Sequence, residues 1–214
     1  MSSPESTAVY VVADRFADFA AVVGGRTLSS LVRALEAGRY DRVGELAVHV
    51  GQGLGDPEVR VLRHVLARWG KADVRLVVEA DRPAPRELVR KESDENVVVT
   101  EPVVEESGLH TARLRLHRDN ELLLDHRPGP HLRSAVAVEA ARQAFVAVVR
   151  RRYLEPRGRG AHDLVVEELR TTFRDFLFPT SAVIRVLVTR CDDTGAGEVS
   201  FRATAEVVQA GRPL

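Results

Sequence analysis

Glu139, Arg142 and Gln143 stand at i, i+3 and i+4 in a run from His131 to Arg150 that is otherwise almost uninterruptedly apolar. That spacing places all three on one side of a helix. Ala135 to Val138 precede them and Ala144 to Val149 follow, so the predicted helix is apolar on most of its circumference and belongs in a core. A carboxylate and a guanidinium are costly to desolvate there. The cost favours chemistry over a surface ion pair, which would contribute only about 0.2–0.5 kcal/mol. Glu139 can serve as a general base if burial raises its pKa, or as an ionised anchor if Arg142 holds it charged. Arg142 suits a phosphate or a developing oxyanion. Ahead of the helix, Asp125-His126-Arg127-Pro128-Gly129 brings an imidazole, a second group able to move a proton.

Other reactive residue types fall in weaker settings. His117 and His131 are read as structural or surface residues. The seven histidines form no His-x-x-x-His pair, so no metal site is expected. Cys191, the single cysteine, excludes an intrachain disulfide and is read as an inert thiol on a strand. Arg150-Arg151-Arg152 complements the dipole at the helix end, or alternatively meets an acidic carrier protein or the phosphate of phosphopantetheine.

The elements that must position these residues divide into two regions. Residues 1–80 read as a small βαβαβ domain: strands at Ala8 to Val12, Glu45 to Val50 and Val74 to Val78, with helices at Leu28 to Ala37 and Pro57 to Trp69. Phe16 to Gly25 is read as a loop with a helical turn. Gly51-Gln52-Gly53-Leu54-Gly55-Asp56-Pro57 joins the second strand to the second helix, with Asp56 as N-cap and Pro57 at the first helical position. Asp56 stands where a phosphate-binding loop needs a third glycine, so the stretch is read as a tight turn and the domain is assigned no chemistry. Asp81-Arg82-Pro83-Ala84-Pro85-Arg86 marks a linker over 81–87.

Residues 88–214 read as α+β: one long central helix with about five antiparallel strands, the pattern of a hotdog domain, in which the sheet wraps around the helix. Ala112, Leu114 and Leu116 alternate with charged neighbours, as do Val199, Phe201, Ala203, Ala205 and Val207. Strands are also expected at about Asp163 to Phe176 and Ala182 to Cys191.

Leu124 to Gly129, Val138-Glu139-Ala140-Ala141-Arg142-Gln143-Ala144, Arg90-Lys91 with Glu95 to Val99, and Leu169 to Pro179 together resemble the A-factor biosynthesis (AfsA-type) hotdog family over roughly residues 88–212. The resemblance implies transfer of a β-ketoacyl group from an acyl carrier protein or coenzyme A thioester to a hydroxyl such as that of dihydroxyacetone phosphate, on the way to γ-butyrolactone signals. It puts the catalytic roles on Glu139 and Arg142, with His126 as helper, and substrate contacts on Gln143, Gly129 and Asp125. No cofactor is implied beyond the acyl-phosphopantetheine of the substrate. Proteins of this type usually carry two tandem repeats and this chain shows one, so a homodimer or hetero-oligomer is expected.

Two alternatives stay open. His126-Arg127-Pro128-Gly129 with Glu139 also resembles hotdog 3-hydroxyacyl-thioester dehydratases, in which the histidine takes a proton beside the thioester and the carboxylate protonates the leaving hydroxyl. A non-catalytic hotdog subunit that pairs with an active partner is the third reading. Equal numbers of basic and acidic residues, 31 each, give no footprint of a nucleic-acid binder. No apolar run reaches membrane-spanning length, and Met1 to Thr7 lack a signal-peptide pattern. A cytoplasmic protein is expected.

Overall fold

A computed structural model describes residues 6–79, 82–124, 129–158, 164–193 and 198–214. The chain divides into two compact units, one of Met1–Ala80, Leu116–Leu132 and Phe178–Thr180, the other of Asp81–Arg115, Arg133–Leu177 and Ser181–Leu214.

The first unit is built on β1 (Ser6–Val12), α1 (Ala17–Val23), β2 (Arg26–Thr27), α2 (Leu28–Glu36), β3 (Glu45–Val50), α3 (Asp56–Trp69) and β4 (Asp73–Val77). The strands form a parallel sheet in the order β2-β1-β3-β4. Val9, Val11, Leu46 and Val48 from the sheet meet Leu31 and Leu35 of α2 and Leu62 and Leu66 of α3. Both helices carry these residues at i, i+4 spacing, which turns one stripe onto the sheet. α2 starts in a reciprocal cap: Thr27 Oγ1 accepts from Ser30 N and Ser30 Oγ accepts from Thr27 N.

Two expectations shift here. Phe16 to Gly25 holds a full helix, α1, closed by Gly24 in the left-handed region at φ +69°. The N-cap of α3 is Gly55 rather than Asp56, because the Glu58 carboxylate accepts the Gly55 N–H at 3.0 Å and moves the start upstream. Gln52 explains why two distant segments join this unit. Its side chain accepts from Leu116 N at 2.7 Å and donates to Thr180 O at 3.2 Å, while its backbone N–H donates to Pro179 O. A short helix, α4 (Arg86–Val89), opens the second unit, whereas α5 (Glu121–Leu124) belongs to the first.

The second unit contains the antiparallel sheet β5-β6-β7-β8-β9, from β5 (Val103–Val104), β6 (His110–Arg113), β7 (Val183–Asp193), β8 (Val199–Gln209) and β9 (Arg212–Pro213). The long helix α6 (Ser134–Val149) packs against β6, β7 and β8 and continues as a π-helical turn over Arg150–Leu154. Its inner side is made of Val136, Ala140, Ala144, Ala147 and Val148, where alanines permit close approach to the sheet. Buried Val97, Val98 and Val99 run beside 113–115, with Thr100 N donating to Arg113 O and Arg115 N to Val98 O. The segment read as a linker is structured at Ala84, whose N–H donates to Val99 O, and in α4 from Arg86.

The strand expected over Asp163 to Phe176 is not formed in residues 164–176. β6 pairs directly with β7, and β7 with β8, so no inner edge remains for another strand. The apolar residues of 164–176 also fail to alternate, and Val165 lies 84% exposed. Among the described residues, no helix is long and apolar enough to cross a membrane.

Candidate active site on the central helix

Glu139 lies in the middle of α6, on the side of the helix turned toward residues 91–98 of its own unit. Its carboxylate is bound by three side chains. Arg142 grips both oxygens, Nε to Oε2 at 2.7 Å and Nη2 to Oε1 at 2.8 Å. Lys91 Nζ stands 2.7 Å from Oε1, and Gln143 Nε2 donates to the same oxygen at 2.9 Å. The Glu139 side chain is 17% exposed and that of Arg142 31%, so the pair is half-sunk in the surface. Burial pushes the Glu139 pKa up, but the hydrogen bonds from Arg142, Lys91 and Gln143 and the Arg142 charge outweigh it and hold the carboxyl at about 2. The Arg142 pKa is raised in turn by its hydrogen bond to Glu139. Glu139 is therefore the ionised anchor of the two possibilities; a carboxylate this acidic is a weak base at neutral pH.

The grip on Glu139 uses one edge of the guanidinium. Nη1 of Arg142 makes no hydrogen bond to the described residues. With Lys91 and Arg142 against one carboxylate, the cluster keeps one positive charge in excess. A half-buried excess cation with an N–H edge unengaged by the described residues is suited to an anion or an oxyanion.

Gln143, expected to contact substrate, is completely buried. Its amide is fully committed: Nε2 donates to Asn96 O at 2.8 Å and to Glu139, and Oε1 accepts from Val98 N at 2.9 Å. It fastens the segment 96–98 to the helix and aims Glu139, so it acts as a positioning residue. Lys91 is delivered by the turn that ends α4. There Arg90 adopts the left-handed conformation at φ 61°, and its N–H donates to Glu87 O while that of Lys91 donates to Arg86 O. A non-glycine residue in that region costs about 1 kcal/mol. The sequence shows Lys91 only within the family-like stretch Arg90-Lys91, with no role attached. The available signal was composition, since Lys71 and Lys91 are the only lysines among 31 basic residues.

The remaining candidates separate from this cluster. Asp125 and His126 lie outside the described residues. Gly129 is half-buried, and a methyl group on its Cα would meet no atom of the described residues within 4 Å. His131 is exposed, and His117 faces Asp119 at 3.7 Å on the surface. Cys191 is half-buried on β7 opposite Phe201. Arg151 is held by Glu101 and Glu155.

Comparison with known proteins adds one finding. No curated protein matches the chain, and no solved structure matches it. The family described as the A-factor biosynthesis hotdog domain matches residues 73–214, well over half the sequence and all of the Lys91–Glu139–Arg142 cluster. With a match of that extent over an antiparallel sheet packed on one long helix, the chain belongs to the A-factor biosynthesis hotdog domain family.

Proposed function

We propose that the second unit is an acyltransferase acting on acyl-carrier-protein or coenzyme A thioesters, moving a β-ketoacyl group to a hydroxyl such as that of dihydroxyacetone phosphate. The observation that carries this reading is the Lys91–Glu139–Arg142 cluster, a pre-organised cationic site on the central helix. Arg142, through Nη1, binds the phosphate of the acceptor or the oxyanion of the tetrahedral intermediate, and Lys91 supplies the second charge. Glu139 keeps both cations in place. The acceptor oxygen attacks the thioester carbonyl, its proton passes to His126, the C–S bond breaks, and the thiol leaves with that proton. Assigning the proton to His126 follows from the acidity of Glu139, which leaves the imidazole as the better base among the candidates.

The same acidity opposes the dehydratase alternative, in which Glu139 must carry a proton to the departing hydroxyl. The non-catalytic reading keeps one specific support: apolar side chains left exposed in the second unit, which a partner would cover. A second copy or a related subunit would complete the assembly. Its contact surface would include the apolar side chains Val165, Val166, Leu169 and Phe173, all exposed.

The test is to incubate the protein with β-ketoacyl and 3-hydroxyacyl carrier-protein thioesters, with and without dihydroxyacetone phosphate, and to follow masses. An acyl ester of the phosphate acceptor supports the proposal. Loss of one water from the 3-hydroxyacyl substrate favours the dehydratase. No turnover of either by folded protein leaves the non-catalytic subunit.

A further inference from the structure

The first unit contains a cavity of about 410 Å³, within the range of small-molecule sites. Its position follows from topology. In the order β2-β1-β3-β4, the chain leaves β1 toward one side of the sheet and β3 toward the other, so the carboxyl ends of these two neighbours frame a switch point. Crevices at such points are where open parallel sheets bind ligands. Ala13, Asp14 and Arg15 follow β1 directly, Gly53 and Leu54 follow β3, and all five line the cavity. Gly53 is at φ +82°, and a Cβ there would stand 2.6 Å from Ala13 Cβ, so glycine is what lets the two loops meet at its floor.

The charges on the walls decide what could enter. The starts of both neighbouring helices already carry carboxylates. Asp14 accepts from Ser29 N at 3.2 Å and from Ser29 Oγ at 2.6 Å at the start of α2. Glu58 accepts from Gly55 N at 3.0 Å at the start of α3. The cations are matched as well: Arg15 donates to the carbonyls of Arg118 and Leu123, and Arg118 pairs with Glu58 at 2.9 Å and Asp119 at 3.3 Å. Three carboxylates against two guanidiniums leave an excess of acceptors, unfavourable for a phosphate and favourable for hydroxyl groups. Leu28, Leu54, Pro57 and Val61 make the rest of the wall apolar.

We infer that this cavity binds an uncharged molecule with a flat apolar face and adjacent hydroxyls, a nucleoside in class and not a nucleotide. The ring system lies along Leu54 and Val61, and the sugar hydroxyls donate to the free lone pairs of Glu58 and Asp119. The ligand is independent of the thioester chemistry proposed for the second unit, so the site serves as a sensor or tether in its own right.

Titration calorimetry of the full chain with adenosine, guanosine, cytidine and uridine, and with their 5′-monophosphates, tests the inference. At least one nucleoside is expected to bind at a 1:1 ratio with Kd below about 1 mM, and its monophosphate about tenfold more weakly. Val61→Glu, at a half-exposed wall position that should leave the melting curve unchanged, is expected to weaken binding about tenfold, and exposed Asp119→Asn about fivefold. No binding by any nucleoside at millimolar concentration to folded protein overturns the inference. Tighter binding of the monophosphate, or nucleoside binding untouched by Val61→Glu, also overturns it.

Discussion

Gln143 donates to Glu139 Oε1 at 2.9 Å from a side chain that is itself completely buried. One turn of helix thus holds both the charged group and the residue that aims it. Because the same amide also accepts from Val98 N and donates to Asn96 O, the direction of Glu139 is coupled to the backbone of the neighbouring segment.

Gln143→Ala should therefore be costly. It strips the partner from the buried Val98 N–H, worth about 1–3 kcal/mol when left unsatisfied, and removes the bonds to Asn96 O and Glu139. A loss of about 3 kcal/mol in urea unfolding is the expected outcome. A change under 1 kcal/mol would mean that the segment 96–98 is held by other contacts.

Acid should expose the Glu139 anchor. Its folded pKa of about 2 lies below the value of an unfolded glutamate. A depressed carboxyl contributes stability that is present above the unfolded pKa of roughly 4.3 and is lost as pH falls through the folded value. Between about pH 5 and 2 the wild-type chain should lose on the order of 2–3 kcal/mol more than Glu139→Gln. Parallel pH profiles of the two proteins would refute the ion cluster.

At neutral pH, Glu139→Gln leaves Lys91 and Arg142 half-buried without their counter-charge, a change that costs about 3 kcal/mol in comparable settings. Adding inorganic phosphate should recover part of that stability, since the vacated site then carries two positive charges. Thermal melts with and without phosphate measure it.

Once turnover is found, Arg142→Lys and Lys91→Met separate the two cations. Lysine cannot keep the two-point grip on Glu139 and also present an outward N–H. Arg142→Lys should lower kcat/KM by about a hundredfold and Lys91→Met by about tenfold, both mainly through the KM of a phosphorylated acceptor. An unchanged KM would place phosphate binding elsewhere.

Gly53→Ala probes the first unit. The new methyl group would stand 2.6 Å from Ala13 Cβ and 3.0 Å from Phe16 Cε2 at a left-handed backbone position. Destabilisation of about 2–4 kcal/mol is expected, read as a fall in Tm.

Much of the architecture was legible in the chain because it rests on local pattern. The i, i+4 stripes of α2 and α3, the alternation in β8 and the apolar circumference of α6 each follow from a periodicity that burial imposes. The pairing of Glu139 with Arg142 was legible too, since three residues of helix fix their approach. The strand expected over 163–176 shows the limit: an apolar run becomes a strand only where a tertiary partner pairs with it, and β6, β7 and β8 pair with one another instead.

The sequence by itself determined that a carboxylate and a guanidinium share one side of a core helix, and that the chain resembles the A-factor biosynthesis hotdog family. Only the tertiary structure decided which groups surround that carboxylate and so the direction in which its pKa moves. Lys91 lies 48 positions before Glu139 in the numbering, yet Nζ sits 2.7 Å from its carboxylate, carried there by the left-handed turn at Arg90. Through space that second cation and Gln143 add to the grip of Arg142, and together the three outweigh the burial that would otherwise have raised the pKa. No spacing along the chain encodes which of those opposing effects prevails, and their balance holds the Glu139 carboxyl well below the usual range.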